Sequence, residues 1–498
     1  MNVNPITRLD YPDPDVIRVE DTYYMVSTTM HFMPGCEILQ SFDLVHWEHV
    51  TYVYETLDHT DAQQLKSGQN IYGQGMWAAS LRYHEGRFCI CFVANDTRKT
   101  YLYTSEKIDG PWKKQLIEGF YHDGSLLFDE DGRNYIVYGN DEIWITELNE
   151  DLTAPKKDGL HRLLVSDHKN PELGYEGSHI QKINGYYYIF LIHSLRDRWM
   201  RTEACFYSDS LEGEFTGGDV LCDDRGYCGQ GVAQGGIVDT PDGKWYAMLF
   251  QDFGAVGRIP ILLPVTWKDH FPFFGQNGHV PEEIEVHSTR PGYIYQPLVG
   301  SDDFCNGLLP RWQFNHDPDP RYYHLDALQG TYTITTREVC TELTQAVNTL
   351  TQRMSYPSCA AEVTVDASAL KEGDVAGLCA LQSCYAAVGI TKHHGKYEVL
   401  MLDKKEDGIL DMTERTVVES HQMDFRLEAD FCNMKDEARC YYRVNKGDWL
   451  PIGTVHKLYF KLDHFTGCRF GLFCYAAEET GGSACFRDFK YYDVDEIS

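Results

Sequence analysis

The first 295 residues alternate apolar and polar positions over short runs that are bounded by tight turns. The alternation is plain in residues 135–139 and 186–192, which follow an Asp-Gly and an Asn-Gly turn. These dipeptides are the ones that two-residue β-hairpin turns prefer. Helical periodicity is nearly absent from this part of the chain. The pattern therefore predicts a series of antiparallel hairpins.

One aromatic position recurs near the start of a strand after five of these turns. The five residues are Tyr23, Phe88, Tyr135, Tyr186 and Trp245. They are 65, 47, 51 and 59 residues apart, so each interval can hold about four short strands with their turns. Repeated four-stranded units of this size are typical of a β-propeller. We therefore predict an all-β fold with a five-bladed propeller over residues 1–295.

A polar connector over residues 290–301 ends this rhythm, and a different β pattern begins at Asp302. Strand-like runs in this second region are residues 360–365, 397–402, 425–429, 440–444, 458–462 and 470–475. Short, spaced strands with alternating sides are typical of a β-sandwich. We predict a sandwich over residues 302–498. The connector is too short for a free tether, so we expect the sandwich to pack on the propeller and to bound its mouth.

A candidate site residue lies 10–12 positions before each recurrent aromatic, and in three cases it is a carboxylate. These are Asp13, Asp123 and Glu176. The innermost strand of every propeller blade lines the central channel, so residues at one offset are expected to meet at the axis. Two carboxyl groups facing a sugar can supply the acid and the base of glycoside hydrolysis, about 6.5–9.5 Å apart when the reaction inverts the anomeric centre.

Each carboxylate also has a simpler interpretation, which the residues alone leave open. Asp13, between two prolines, can cap a turn, and Asp15 is its rival because positions two apart can share a strand face. Asp123 fits an Asx-turn before Gly124. Glu176 fits an exposed strand edge, although a glutamate entering an apolar strand needs either a partner or a task.

The charge balance excludes some classes of partner. The chain has 44 Lys and Arg against 75 Asp and Glu, which gives a formal net charge of −31. A surface of this sign repels nucleic acid and anionic membranes, whereas a neutral substrate is indifferent to it. We predict no nucleic-acid partner and no membrane partner. The charge itself serves solubility.

The N-terminal residues lack the charged start and apolar core of a signal peptide, and no apolar run is long enough to span a bilayer. Several of the sixteen cysteines lie inside strand-like runs, where reduced cysteine behaves as a small apolar residue. We therefore expect free thiols and a cytoplasmic location.

An ordered set of stretches along nearly the whole chain resembles one enzyme family. The stretches are residues 11–16, 77–81, 122–128, 175–179, 234–245, 256–267 and, in the tail, 348–353. They are similar to glycoside hydrolase family 43, five-bladed propellers that include β-D-xylosidases and α-L-arabinofuranosidases, some with a concanavalin-like accessory sandwich. The resemblance implies an exo-acting, inverting hydrolase that removes terminal β-D-xylose or α-L-arabinofuranose from xylan-type oligosaccharides. The alternative is a carbohydrate-binding propeller that has lost catalysis.

The resemblance also assigns roles to individual residues. It implies that Asp13 is the general base, that Asp123 tunes and orients the acid, and that Glu176 is the general acid. It further assigns contacts with the substrate to Trp77, Arg258, Phe32 and Gln234.

Two positions depart from the family pattern. Many members have a histidine at the position of Gln234, and some use it around a central ion, so we predict no metal ligand here and no required cofactor; nothing in the sequence supports a structural Ca²⁺. Methionines replace frequent aromatics beside Phe32, which leaves open a core role for this segment. The choice between the two pentoses and the formation of a homo-oligomer also stay open.

Overall fold

The computed structural model describes residues 2–493, and this part of the chain is almost entirely β-structure. Its helices are single 3₁₀ turns at Lys66–Gly68, Gly254–Val256, Leu343–Gln345 and Cys432–Met434. None of the described helices has the length and apolar character that crossing a bilayer requires.

Five four-stranded antiparallel sheets follow one another along the first part of the chain. After β1 (Asn2–Val3), the first blade comprises β2 (Asp15–Val19), β3 (Thr22–Val26), β5 (Gly35–Ser41) and β6 (Glu48–Tyr54), while β4 (Phe32–Met33) joins another sheet. The second comprises β7 (Met76–His84), β8 (Arg87–Ala94), β9 (Lys99–Ser105) and β10 (Lys113–Ile117). The third comprises β11 (Ser125–Phe128), β12 (Asn134–Asn140), β13 (Glu142–Leu148) and β14 (His161–Ser166).

The fourth blade comprises β15 (Glu176–Ile183), β16 (Tyr186–Ser194), β17 (Arg201–Ser208) and β18 (Thr216–Leu221). The fifth comprises β19 (Ala233–Asp239), β20 (Trp245–Asp252), β21 (Arg258–Lys268) and β22 (Phe271–Phe274), and β23 (Glu283–Ile284) then pairs with β1. Local sequence explains the innermost hairpins. In the turn between β15 and β16, Asn184 and Gly185 have φ values of 51° and 85°, the left-handed pair of a type I′ turn.

A buried ion pair near the axis fastens four of the blades together. The Arg82 guanidinium donates to Asp15 Oδ2 at 2.8 Å, to Ser125 Oγ at 2.7 Å and to the carbonyl of Ile180 at 3.1 Å. His179 Nδ1 lies 3.0 Å from the other oxygen of Asp15. Burial alone would raise the pKa of Asp15, but Arg82 and His179 hold it below its usual value. Asp15 thus belongs to the scaffold, which removes it as the rival of Asp13.

The last fourteen strands form two packed sheets. They are β24 (Gln313–Asn315), β25 (Tyr323–Asp326), β26 (Thr331–Thr335), β27 (Leu350–Arg353), β28 (Ser358–Asp366), β29 (Val375–Leu381), β30 (Ala386–His393), β31 (Lys396–Lys404), β32 (Leu410–Val418), β33 (Gln422–Asp430), β34 (Glu437–Arg443), β35 (Leu450–Lys457), β36 (Arg469–Tyr475) and β37 (Ser483–Asp493). One sheet has the order β32-β31-β30-β29-β36-β27-β24-β4, and the other β25-β26-β37-β28-β33-β34-β35. The predicted fold class, a five-bladed propeller followed by a β-sandwich, is confirmed.

Strand β4 comes from the propeller region but forms the edge of the eight-stranded sandwich sheet. Met33 pairs with Phe314, and Phe32 pairs with Asn315. The Phe32 ring is buried, with the guanidinium of Arg469 3.4 Å from its centroid. Sandwich residues in the same apolar cluster include Leu343, Val375, Tyr385 and Phe473. The prediction that Phe32 contacts the sugar is therefore wrong, because its ring fills the core between the two domains.

A buried salt bridge also joins the domains. Arg353 on β27 donates to Glu37 Oε2 at 2.9 Å and to the hydroxyl of Tyr11 at 3.2 Å, and its Nε donates to the carbonyl of Asp10 at 2.9 Å. Burial acts to raise the pKa of Glu37, but Arg353 and His49 outweigh it and lower the pKa to about 2. Because the folded-state pKa lies below the unfolded one, the ionised pair stabilises the fold above pH about 4.5 and loses this effect as the pH falls towards 2.

We expect Arg353→Met to lower the free energy of unfolding by about 3–5 kcal/mol, because it leaves Glu37 charged and buried without its cation. Denaturant unfolding at pH 7 measures the change. The double variant Arg353→Met with Glu37→Gln removes the stranded charge and should recover part of the loss. A single variant as stable as the wild type would show that this pair does not hold the interface.

Candidate active site

The backbone at the start of the innermost strands is bent in a way that brings the predicted residues to one end of the channel. Asp13 and Asp123 each lie two residues before an innermost strand, with left-handed φ values of 54° and 48°. Aspartate tolerates this region better than most residues. β15 and β19 instead contain β-bulges directly after Glu176 and around Gln234. Bulges near active sites commonly redirect side chains in this way.

Asp13 lies in a closed environment in which both of its oxygens are occupied. Its side chain is buried, the Thr28 hydroxyl donates to Oδ2 at 2.5 Å, and Arg258 Nη1 donates to Oδ1 at 3.2 Å. Both partners are donors, and one is a cation. This arrangement suits a carboxylate that accepts a proton from water.

Glu176 has a more open environment than Asp13. Its side chain is 22% exposed, and Oε2 accepts a hydrogen bond from Asn140 Nδ2 at 2.8 Å. His122 Nε2 lies 3.5 Å from the same oxygen. A partly exposed carboxyl group can reach a leaving group that extends out of the channel, which is the position that a general acid requires.

Asp123 is buried next to Glu176. Its Oδ2 accepts from the backbone N–H of Gly177 at 3.0 Å and lies 3.5 Å from His122 Nε2. Burial, together with the charges of Glu176 and Asp13, raises the pKa of Asp123 to about 6, although His122 opposes the shift. Burial would lower the pKa of His122, but Asp123 and Glu176 raise it to about 9. The protonation of Asp123 and that of His122 therefore depend on each other.

The same three side chains are also possible ligands of a metal ion. Within residues 2–493, the donor atoms of His122, Asp123 and Glu176 form the only group of this kind, all within 4.8 Å of one another. With a pKa of about 9, His122 carries its proton at neutral pH and presents an N–H donor, whereas a metal ligand needs a free lone pair. The chemistry of the group thus favours proton transfer.

Two arginines place positive charge beside these carboxylates. Arg258 was predicted, but Arg201 was not. Arg201 pairs with Asp252. The guanidinium groups of Arg201 and Arg258 each lie 5.4 Å from the ring centroid of Phe250. Burial and the charge of Arg258 lower the pKa of Arg201 to about 10, while Asp13 and Glu176 oppose the shift.

The sandwich domain contributes an aromatic wall. The Phe465 ring lies 5.6 Å from Trp77 and 4.3 Å from the Arg258 guanidinium, measured to ring centroids. Trp77 is also 5.8 Å from His122. The loop that carries Phe465 is fixed because the N–H of Gly467 donates to Asp10 Oδ2 at 2.8 Å. The sandwich thus bounds the channel mouth, as the short connector predicts.

Gln234 lies against the residue that follows Glu176. It is buried, and a Cβ atom added at Gly177 would lie 2.8 Å from Gln234 Cγ and Cδ. This places Gln234 at the site; a contact with substrate stays a prediction. The structure thus brings together Asp13, Trp77, Asp123, Glu176, Gln234 and Arg258, excludes Phe32, and adds His122, Arg201 and Phe465. Of the three added residues, only His122 had a sequence signal, since it directly precedes Asp123 in residues 122–128, one of the stretches that resemble the family.

We expect Asp123→Asn to move the alkaline limb of the pH–activity profile to lower pH. Loss of the negative charge beside His122 and Glu176 removes the attraction that raises the pKa of His122 to about 9, so the group loses its proton earlier. Initial rates across pH 5–10 measure the shift. Asp131→Asn changes an exposed carboxylate in the next hairpin and should leave both limbs in place. An unmoved limb in Asp123→Asn would separate Asp123 from the acid.

Comparison with known proteins gives the same assignment independently. The model of glycosyl hydrolases family 43 matches residues 3–272, and the model of the beta xylosidase C-terminal concanavalin A-like domain matches residues 301–492. With carboxyl groups and arginines gathered at one end of a propeller channel, these matches define a glycoside hydrolase. The chain belongs to family 43.

Individual relatives extend over nearly the whole chain. A curated beta-xylosidase of Formosa agariphila is 27% identical, over 99% of this chain and 89% of its own length. The solved structure of a bifunctional GH43-CE protein of Bacteroides eggerthii is 42% identical, with a TM-score of 0.92 over 99% of this chain. The present chain spans only 64% of that longer protein. A family 43 hydrolase engineered to display both endo-xylanase and exo-arabinofuranosidase activity is 27% identical, with a TM-score of 0.87 over 99% of both chains.

Proposed function

We propose that this enzyme removes single terminal pentoses, β-D-xylose or α-L-arabinofuranose, from xylan-type oligosaccharides with inversion at the anomeric carbon. The contrast between the environments of Asp13 and Glu176 carries the proposal. Asp13 is buried between two donors, whereas Glu176 is partly exposed beside Asp123 and His122. Carboxyl groups in such different surroundings are suited to different tasks, one as base and one as acid. The names of the relatives support the choice of pentoses.

The reaction follows as a single displacement. Asp13 takes a proton from a water molecule while the water oxygen bonds to the anomeric carbon. The bond from that carbon to the leaving oxygen breaks, and Glu176 gives its proton to this oxygen. Arg258 and Thr28 fix the orientation of Asp13, and Asp123 and His122 keep a proton available near Glu176.

Removal of one terminal sugar is supported by the walls of the site. Trp77 on the propeller and Phe465 on the sandwich are in contact, with their ring centroids 5.6 Å apart and their planes at 58° to each other. Aromatic faces next to a carboxylate site offer the apolar surface on which sugar rings stack. Phe465 belongs to the sandwich domain and lies against Trp77 at the mouth of the propeller channel. We expect it to narrow the opening, so that an internal segment of a polysaccharide could not pass through the site.

Two further parts of the proposal concern the cofactor requirement and the cellular location of the enzyme. His122, which lies beside Glu176, carries a proton at neutral pH and so has no lone pair to offer a cation at this nitrogen; we expect activity to persist after treatment with a chelator. All sixteen cysteines are free, and ten of them are buried. This supports action in the reducing cytoplasm on short imported oligosaccharides.

The decisive experiment combines kinetics with product analysis. We expect nitrophenol release from nitrophenyl β-D-xyloside, nitrophenyl α-L-arabinofuranoside or both, and the ratio of kcat/KM values identifies the preferred pentose. Proton NMR of the first product from a β-xyloside should show α-xylose, because a single displacement inverts the anomeric carbon. First-formed β-xylose would overturn the mechanism. Sugar binding without any hydrolysis would favour the alternative, a binding propeller.

A further inference from the structure

A buried glutamate behind the site has no part in the reaction described above. Glu203, on β17, has no solvent-exposed surface. Its Oε2 accepts a hydrogen bond from the backbone N–H of Gln234 at 2.7 Å. Its Oε1 is buried and has no hydrogen-bond partner among residues 2–493. A carboxyl group this deeply buried, with one donor and no cation paired with it in the described chain, requires an explanation.

The surroundings determine the protonation state of Glu203. Burial raises the pKa of its carboxyl far above the usual value, and the single hydrogen bond from Gln234 opposes this only weakly. An uncompensated buried carboxylate would be costly, so the group takes up a proton instead. The surroundings of Glu203 therefore favour the neutral carboxylic acid over the carboxylate.

The hydrogen bond from Gln234 replaces a missing contact of the β-ladder. Pairing between β19 and β20 shifts register between Ala233 and Gly236, and Gln234 adopts a left-handed φ of 62°. A bulged residue leaves its backbone groups without strand partners. Glu203 Oε2 supplies the acceptor for the N–H of Gln234 and so fixes the backbone at this point.

The side chain of Gln234 transmits this position to the acid group. It packs against Gly177 so closely that a Cβ atom there would lie 2.8 Å from two of its carbons. Gly177 directly follows Glu176, and its N–H donates to Asp123 Oδ2 at 3.0 Å. A short chain of contacts therefore leads from Glu203 to the carboxyl pair that supplies the proton.

We propose that Glu203 is a positioning residue, a neutral carboxylic acid that holds the bulge at Gln234 and, through Gly177, the spacing of Asp123 and Glu176. This inference rests on the proposed function only for its kinetic readout. The protonated state of Glu203 has consequences that are independent of any substrate.

The test compares two substitutions of Glu203 that differ in one property. Glu203→Gln is neutral and keeps an acceptor oxygen, so kcat and both limbs of the pH profile should stay within about threefold of the wild type, since the Gln234 contact survives. Glu203→Leu has similar bulk but no acceptor. We expect it to lower kcat by on the order of 10²-fold, as for a displacement of the acid by about 1 Å, with little change in KM. Its alkaline limb should also shift, which a loss of stability alone would not cause.

Two further measurements keep the inference testable if Glu203→Leu does not fold. Infrared difference spectra between the wild type and Glu203→Gln should contain the carbonyl band of a protonated carboxylic acid at pH 7. Gln234→Gly tolerates the left-handed backbone but lacks the side chain that packs on Gly177, so its kcat should fall and its alkaline limb should shift, as expected for Glu203→Leu.

Several results would overturn the inference. They are an inactive Glu203→Gln enzyme with wild-type stability, a Glu203→Leu enzyme with wild-type kcat and pH profile, or a carboxylate band in place of the acid band. A wild-type enzyme that is inactive on every pentoside would instead contradict the proposed function, and the infrared result would then still decide the state of Glu203.

Discussion

Asp13→Asn is expected to lower kcat by about 10²–10⁴-fold, the range that a general base contributes, at temperatures where the variant is folded. Asparagine tolerates the left-handed φ of 54° at this position and can still accept a hydrogen bond from Thr28, so the local structure should survive. An amide cannot take a proton from water, and it leaves Arg258 without its counterion. Initial rates on a nitrophenyl pentoside measure the loss, and thermal unfolding of the same samples identifies those temperatures.

Asp15→Asn provides a comparison with the opposite expected outcome. Asp15 is almost completely buried and pairs with Arg82 at 2.8 Å, so its substitution should destabilise the propeller by about 3–5 kcal/mol. At a temperature where the variant is still folded, it should retain most of its kcat. If Asp15→Asn abolished activity without a loss of stability, or if Asp13→Asn left kcat unchanged, the choice between the two aspartates would be wrong.

Glu176→Gln is expected to cost activity in proportion to how much the leaving group needs a proton. On natural xylo-oligosaccharides kcat should fall by about 10²–10⁴-fold, since an alkoxide cannot leave without protonation. Nitrophenolate leaves unaided, so the loss on nitrophenyl pentosides should be much smaller. Rates on a series of aryl pentosides with leaving groups of rising pKa measure the difference directly.

Glu172→Gln is the matched control for this experiment, because it changes an exposed glutamate just before the same strand. It should leave the rates on all substrates unchanged. Equal losses on natural and activated substrates in Glu176→Gln would remove Glu176 from the role of acid. A glutamine at position 176 can still accept the hydrogen bond from Asn140, so the thermal stability of Glu176→Gln should match that of the wild type.

The propeller could be predicted because its signals are local. Each inner hairpin carries its own turn residues, such as Asn184 and Gly185, and its own aromatic strand start. The positions of Asp13 and Asp123 followed from the repeat, since equal offsets in a ring of blades meet at the axis. The distinction between Asp13 and Asp15 did not follow, because it depends on Arg82, which comes from another blade.

The remaining site residues come from contacts between distant parts of the chain. Phe465 meets Trp77 only because the sandwich docks against the propeller mouth, and no local pattern marks this. Arg201 begins β17, the third strand of its blade, and its proximity to the carboxylates depends on the packing of two blades. Phe32 lies in a segment similar to a family subsite, but the pairing of β4 with the sandwich places its ring in the apolar core between the domains.

The pairing of β4 also sets the order in which the protein can be completed on the ribosome. Met33 pairs with Phe314, which is 281 positions later in the chain. At about 5–20 residues per second, the partner strand is synthesised roughly 14–56 s after β4. During this interval β4 has an unpaired edge, and closure of the sandwich waits longer still for β37. A chaperone that shields this edge, or slow translation before residue 313, would therefore affect the yield of native enzyme more than its final stability.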